Sequence, residues 1–519
     1  CVGERAMELL RQSLLTLLIF LPAVGAAAVL LPPCRRFARH IALGVTCVDL
    51  ALAALLLIPG VFDASRPGDY VAGGVVQLVL RTPWVPSLGV EYFVGVDGLS
   101  MPLVLMSALV FVLAIAASWN VTRQAAAYFA LVLLLQTGVL GSFLALDLLL
   151  FFVFFELSLL PMYFLIGIWG GERKEYAAIK FFLYTFLGSL AIVIAIIGIY
   201  LATNSFDLLA LPALLKSSAL TDTARTTLFG LLLAGFLVKL PSVPLHTWLP
   251  DAHVQAPTPV SMLLAAVLLK LGAYGLLRVA MPLFSDQAQS LWWLIGGLGV
   301  ASVLYGALCA LGQTDFKRLV AYSSVSHMGM VLLGAAMMTG AAINGAIFMM
   351  VSHGITSAAM FFIVGVIYDR LHHRDLDRLG GLSTVMPGYA RWAGLFVFAT
   401  LGLPGLCGFV GEVLVLLGTF SAGSDGPLAG VAPVWAIYLL GALAAAGIVL
   451  TAGYMLYALQ RLLLGAPSAD RAALADLTAR ESVVLWPLGV LAVLLGVLPW
   501  QTVLSYSDRT VAALLKVMS

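Results

Sequence analysis

Among the ionisable side chains inside apolar runs of this sequence, six could do chemistry together: Glu156, Lys239, Lys270, His327, His353 and Glu412. A charge at the centre of a bilayer costs about 2.5–3.5 kcal/mol even on the mildest insertion scale, so such residues usually line a functional pathway. The chemistry open to this set is proton transfer. Glu156 lies in FFELSLLPMYF (Phe154 to Phe164) with no cation nearby in the same run, and its bland alternative is a neutral acid bonded to a backbone carbonyl. Lys239 lies in GFLVKLPSVPLHTWLPDAH, directly before Pro241 and Pro244. Two prolines three residues apart break a helix, and a membrane tolerates that only where the freed backbone groups meet protein or water.

Lys270, in MLLAAVLLKLGAYGLLR, has eight uncharged residues before it and seven after it before Arg278. Snorkelling of the long stem to the surface is the alternative reading. Arg278, nearer the end of the run, reads as an interfacial anchor. His327 (VAYSSVSHMGM) and His353 (MMVSHGITSAAMFF) fall in successive apolar runs; each reads as a packing residue or, between acid and lysine, as a relay. Glu412 follows a Gly/Pro interruption at Gly402, Pro404, Gly405 and Gly408. His246 and His253 flank the first break, while His372 and His373 sit in a charged, solvated loop.

The elements that must hold these groups follow from composition. Of 519 residues, 62% are hydrophobic and 10% charged, against about 45–50% and about 25% in soluble domains; the mean hydropathy is +1.06. This excludes an ordinary soluble protein and predicts an all-α polytopic membrane protein forming one integral membrane domain over 1–519. Apolar windows predict fourteen spans, near 12–31, 41–60, 97–118, 125–143, 146–169, 178–202, 226–248, 258–280, 290–310, 319–338, 343–368, 392–420, 432–460 and 482–503. The run Leu14 to Leu31 resembles a signal peptide at Ala26 to Ala28 but is long enough to span. The polar interruptions 61–96, 203–225 and 461–481 are too short for a second domain.

The broken spans are the seventh and the twelfth. With spans 4–8 (125–280) and 9–13 (290–460) taken as two five-helix units, the break falls in the fourth helix of each, the pattern of an inverted repeat in transporters. Sixteen of the 27 Lys/Arg residues, Lys317 and Arg471 among them, fall in loops after odd spans; eight, including Arg5 and Arg11, fall in the tails and other loops. That asymmetry places both termini on the non-cytoplasmic side. Lys239, Lys270 and Arg278 are left inside spans.

Several function classes are excluded. A net charge of +2 gives no basic arm for nucleic acid. The five cysteines, Cys1, Cys34, Cys47, Cys309 and Cys407, form no C-x-x-C pair or Cys/His cluster, so no metal, Fe–S or haem site is expected. With neither a Walker loop nor a G-x-G-x-x-G after a strand, no cofactor is expected in this chain, and redox chemistry falls to another.

The motifs VDGLSMPLV (Val96 to Val104), FELSLLPMYFLIGIWG (Phe155 to Gly170), VKLPSVPLHTWLPDAHVQAPTPVS (Val238 to Ser261), LLKLGAYGLLR (Leu268 to Arg278), DFKRLVAYSSVSHMGMV (Asp315 to Val331), HHRDLDRLGGL (His372 to Leu382) and LPGLCGFVGE (Leu403 to Glu412) together resemble the antiporter-like subunits of proton-pumping NADH:quinone oxidoreductase, respiratory complex I. The acid at Glu412 and the absence of a long lateral helix match the subunit M group, the mitochondrial chain 4 type. The resemblance implies a non-redox subunit of that enzyme in a bacterial inner membrane. It also implies NAD, FMN, Fe–S clusters and quinone in partner subunits, a hydrophilic redox arm, and two homologous antiporter-like subunits on either side. It matches Glu156 to the family's ion-pair acid, Lys239 to the lysine of the broken helix, Lys270 to the connecting lysine and Glu412 to the terminal acid. Multisubunit Na⁺(K⁺)/H⁺ antiporters and membrane-bound hydrogenases share the core motifs and form the alternative. The expected gate is a Glu156–Lys239 pair; at about 6 Å and an effective dielectric near 20 it is worth roughly 2.8 kcal/mol.

Overall fold

The computed structural model describes residues 2–66, 68–71, 73–466 and 474–518, with side chains from residue 13 onward. Cys1 and Arg471, and the side chains of Arg5 and Arg11, lie outside the described residues. Helices dominate because long apolar stretches in a bilayer must satisfy every backbone N–H and C=O internally. Eleven of them are long and apolar enough to cross a membrane. The first two are α1 (Val2–Leu30) and α2 (Ala38–Ala54). The short apolar α3 (Met101–Ala117) and two interrupted segments bring the crossings among the described residues to the expected fourteen.

The first half continues with α4 (Ala125–Leu144), the kinked pair α5 (Leu148–Leu157) and α6 (Leu159–Trp169), and α7 (Lys174–Thr203). The seventh crossing is α8 (Asp222–Lys239), a break, then α9 (Trp248–Gln255); α10 (Thr258–Leu283) follows. The second half holds α11 (Trp292–Leu311), α12 (Phe316–Met337) and α13 (Gly340–Leu371). The twelfth crossing is α14 (Pro387–Thr400), a break, then α15 (Cys407–Ser421). The last two are α16 (Val434–Leu463) and α17 (Ala479–Val497).

Helices α10, α12 and α13 form the axis of the molecule, and their most apolar windows are 94–100% buried, whereas α2 and α16 bury only 28%. The difference separates helices walled by protein from helices walled by lipid, and Lys270, His327 and His353 stand on the first kind. Two elements went unread in the sequence. An antiparallel hairpin, β1 (Gln77–Val85) with β2 (Val90–Val96), occupies the interruption 61–96. A last helix, α18 (Ser505–Met518), follows the fourteenth crossing. Thr510 of α18 accepts the backbone N–H of Gly98, just after β2, at 2.9 Å, so the two elements form one clasp.

Candidate functional site: a buried line of ionisable groups

The seventh crossing breaks where Pro241 and Pro244 supply no N–H. The groups freed there are taken up by side chains: Ser302 of α11 accepts the Val243 N–H at 2.9 Å, and Trp248 Nε1 donates to the Val238 carbonyl at 2.9 Å. Lys239 ends α8 at this break and is 7% exposed. Its Nζ donates to the Phe155 carbonyl at 2.8 Å and lies 3.3 Å from the centroid of the Phe155 ring, a cation–π contact. The same carbonyl accepts Ser158 Oγ at 2.7 Å, at the kink between α5 and α6.

Glu156 therefore lies one residue from the group that holds Lys239. The expected pair, a through-space one at about 6 Å, makes no hydrogen bond: Lys239 binds the backbone, and Glu156 keeps its Oε2 buried without a hydrogen-bond partner. The acid stays within electrostatic reach of the lysine. The kink accounts for this, because the Phe155 carbonyl meets the ammonium before the carboxylate can.

Lys270 is fully buried on α10, between two π-helical turns at Leu264–Leu268 and Leu276–Ala280. Such turns loosen the backbone ladder and recur at functional sites. Nζ donates to the Ala265 carbonyl at 2.7 Å and lies 2.7 Å from His353 Nδ1 on α13, so the lysine points into the protein and does not snorkel. With an ammonium at Lys270, His353 accepts at Nδ1 and carries its proton on Nε2, which is buried without a partner. The His327 ring lies 5.5 Å from that of His353, centroid to centroid. His327 Nδ1 is 3.9 Å from Glu412 Oε1, a gap that a bridging water would close.

Glu412 belongs to α15 but reaches back over the break before it. A Cβ at Gly402 would collide with its carboxylate, and Gly402 also holds φ +82, so glycine is required there twice. Gly272 does similar work on α10: a Cβ there would sit 2.5 Å from Leu240 N and 2.7 Å from the Phe236 carbonyl. The helix carrying Lys270 thus lies against the end of α8 that carries Lys239. The structure brings Lys270, His353, His327 and Glu412 into one line across α10, α13, α12 and α15, with Lys239 and Glu156 at its near end.

Two sequence readings require correction. Arg278 is no interfacial anchor: it is 3% exposed, and its NH1 and NH2 each donate at 2.7 Å to the two oxygens of fully buried Asp97. Tyr274 accepts from Arg278 Nε at 2.9 Å and donates to the Phe143 carbonyl at 2.7 Å. Lys317 is no loop residue: it is 4% exposed in the first turn of α12, and Nζ donates to the Ala256 carbonyl at 2.5 Å. Beside it opens a cavity of about 840 Å³ lined by Glu172, Arg173, Asp369, His372 and Arg480 among others. His253 is fully buried, stacked on Phe361 at 4.3 Å, with neither ring nitrogen hydrogen-bonded; His246 meets Tyr305 edge-on at 5.2 Å. Asp49 and Asp97 are two further buried acids, and the signal for each in the sequence is an acid within or beside an apolar run.

Buried ionisable groups strung between two interrupted helices define the class of antiporter-like membrane subunits. The family described as "NADH:quinone oxidoreductase/Mrp antiporter, TM" matches residues 145–429, and "NADH-ubiquinone oxidoreductase chain 4, amino terminus" matches residues 75–146. NADH-quinone oxidoreductase subunit M of Rhodobacter capsulatus is 40% identical over 504 residues, 94% of each chain. NAD(P)H-quinone oxidoreductase chain 4 1 of a Synechococcus strain is 41% identical over 503 residues, covering 96% of this chain and 92% of its own. A chain of respiratory complex I from Thermus thermophilus superposes with TM-score 0.83 at 30% identity, over 97% of this chain and all of that one. A chain of the Mrp complex from Dietzia sp. gives 0.79 at 25%, over 97% of this chain and 51% of that one. The chain belongs to the NADH-quinone oxidoreductase subunit M, or chain 4, family. It is a multi-pass membrane protein.

Proposed function

We propose that this chain moves protons across the membrane as a non-redox subunit of an NADH:quinone oxidoreductase, driven by electron transfer in other subunits. The observation that carries this reading is the line Lys270–His353–His327–Glu412, with its 2.7 Å first step and its short gap at the acid. A proton leaving Lys270 Nζ passes to His353 Nδ1 as the Nε2 proton departs toward His327, so each imidazole takes a proton on one nitrogen and gives one from the other. Waters bridge to Glu412, which releases the proton on the non-cytoplasmic side. Intake is from the cytoplasmic side, where the basic loops lie, with both termini on the opposite face.

Glu156 and Lys239 act as the gate in a form that the geometry refines. The ammonium is parked on the Phe155 carbonyl, one residue from the acid, and a shift of the α5/α6 kink moves Lys239 either toward Glu156 or away toward Lys270. Moving one charge across the membrane potential costs about 2.3 kcal/mol per 100 mV, comparable to one such ion-pair contact. The matching interruptions in 226–248 and 392–420 support reading 125–280 and 290–460 as two inverted five-helix units, each with a charged group at its break.

The partners on this reading are two homologous membrane subunits and a hydrophilic arm holding FMN, Fe–S clusters and the sites for NAD and quinone; this chain contributes none of these. The test is Glu156→Gln or Lys239→Ala in the assembled complex, with protons moved per electron measured in vesicles. Pumping is expected to fall while electron transfer persists, and an unchanged ratio in either variant refutes the gate. Glu412→Gln examines release separately. Likeness to the Mrp complex chain favours one second reading, Na⁺ or K⁺ exchange for protons; cation-dependent proton flux without quinone-linked activity would establish it.

A further inference from the structure

Asp49 takes no part in the line from Lys239 to Glu412. It stands on α2, whose inward stripe is Ala38, Ala42, Thr46, Asp49 and Ala53. This spacing turns one helical face toward the protein, so the acid is aimed inward from a helix otherwise walled by lipid. At 1.5 Å per residue, it lies about 16 Å along α2, near the middle of a hydrocarbon layer about 30 Å thick. The side chain is fully buried. Among the described residues no cation pairs with it, and its one partner is Gln136 of α4, whose Nε2 lies 2.5 Å from Oδ2.

Two polar atoms of this pair are buried without partners, Asp49 Oδ1 and Gln136 Oε1, and so is Thr137 Oγ1 of the next residue on α4. A carboxylate held by a single amide, facing no cation, is among the costliest groups to bury. A neutral carboxylic acid removes that cost, because it gains a donor of its own. Half a turn of the Gln136 amide then presents Oε1 where Nε2 stands, so the acid proton has an acceptor at the same place. Unpartnered polar atoms in such a cluster are where ordered water is found.

The far side of α4 meets the kink that carries Glu156. A Cβ added at Gly138 would lie 2.9 Å from Ser158 N and 3.0 Å from the Phe154 carbonyl, so the two backbones touch. Glu156 Oε2 is also buried and unpartnered. One helix thus separates two acids that each have an oxygen to satisfy.

We propose that Asp49 is a proton-holding site, a neutral carboxylic acid at the bilayer midplane that exchanges its proton with Glu156 through Gln136, Thr137 and water. The O–H bond at Asp49 breaks and one forms on Glu156 Oε2, the negative charge moves from Glu156 to Asp49, and the Gln136 amide turns to donate Nε2–H to the new carboxylate. The inference rests on proton passage at Glu156 and adds a lateral branch to it.

The experiment uses the intact complex in lipid and reads two signals: protons moved per electron, and the carbonyl stretch of carboxylic acids in infrared difference spectra. Asp49→Asn is expected to abolish one such band, which in the wild type shifts in D₂O, and to lower pumping while electron transfer continues. A band that survives Asp49→Asn, a band with no deuterium shift, or unchanged pumping overturns the proposal. Should Asp49→Asn fail to assemble, Thr137→Val is expected to keep the band and lower pumping, and Asp49→Glu to keep both; unchanged pumping in Thr137→Val is then the overturning result. Glu156→Gln separates the two levels. If it leaves pumping intact, the gate at Glu156 fails and the branch with it, whatever the band does; if it stops pumping while Asp49→Asn does not lower it, the branch alone falls.

Discussion

At Asp97 and Arg278 two full charges are shut away from water in a bidentate contact; Tyr70 and the Leu99 and Ser100 N–H groups also donate to Asp97, and Tyr274 accepts from Arg278. Removing one member leaves the other charged, buried and alone, which costs about 3–5 kcal/mol. Asp97→Ala or Arg278→Ala is therefore expected to lower the thermal stability of the assembled protein sharply, whereas the apolar double variant Asp97→Leu/Arg278→Met recovers most of it. Equal losses in single and double variants would contradict this account.

Asp147 presents a different balance. It caps α5 by accepting the N–H groups of Leu149 and Leu150, and it also accepts that of Glu91. Burial nevertheless pushes its carboxyl up from its ordinary value to about 6, against the pull of those donors. The folded state therefore holds this proton more tightly than the unfolded chain does. The stabilisation is complete below the ordinary carboxylate value and fades as pH rises through about 6. Asn caps helices as well as Asp, so Asp147→Asn is expected to gain stability relative to the wild type as unfolding is followed from pH 4 to pH 8; a flat difference would refute it.

Among the elements, glycines do the work of letting helices meet at the breaks. Gly272→Ala would push α10 off the backbone at Lys239 and Leu240, and it is expected to lower both stability and the proton-to-electron ratio. Gly402→Ala forces a left-handed residue, at about 1–2 kcal/mol, and also displaces the Glu412 carboxylate. Its pumping defect should therefore exceed that of Gly405→Ala, which shares the backbone conformation at φ +89 but would meet no neighbouring atom. Similar defects in both would mean that strain, and not the carboxylate, is decisive.

The same scale shows what the sequence makes legible. Spans and breaks are readable because hydropathy and proline act locally: Pro241, Pro244 and Gly402 interrupt their helices whatever surrounds them. Partners are not readable, because they come from distant helices. Nothing near Arg278 in sequence announces Asp97, 181 residues away, and Lys239 meets the Phe155 carbonyl, a group that every residue carries. Asp49 was open to view, an acid on a stripe of small residues, but it was lost in a window averaged for hydrophobicity.

At the scale of the whole molecule, interior and exterior are divided by helix: α10, α12 and α13 are sealed within, and α2 and α16 face outward. On the less basic face, α18 is tied to the end of β2. Ser507 of α18 donates to Asn344 Oδ1 at 2.6 Å, and Gln289 Nε2 donates to the Met518 carbonyl at 2.7 Å, so the last helix touches the second half as well as the hairpin. Thr510→Val strips the Gly98 N–H of its acceptor, and an unmet buried donor costs about 1–3 kcal/mol. The variant is expected to speed hydrogen exchange at Gly98 and its neighbours while leaving exchange in α12 unchanged.

That bond joins positions 412 residues apart, and biosynthesis gives the distance a direction in time. Ribosomes deliver the hairpin well before α18, so a nascent chain inserts its first crossings with the Gly98 amide still waiting for an acceptor. A chain arrested before Thr510 would leave this clasp unfastened although the crossings before it are made. The clasp therefore closes only after every crossing described above has been made.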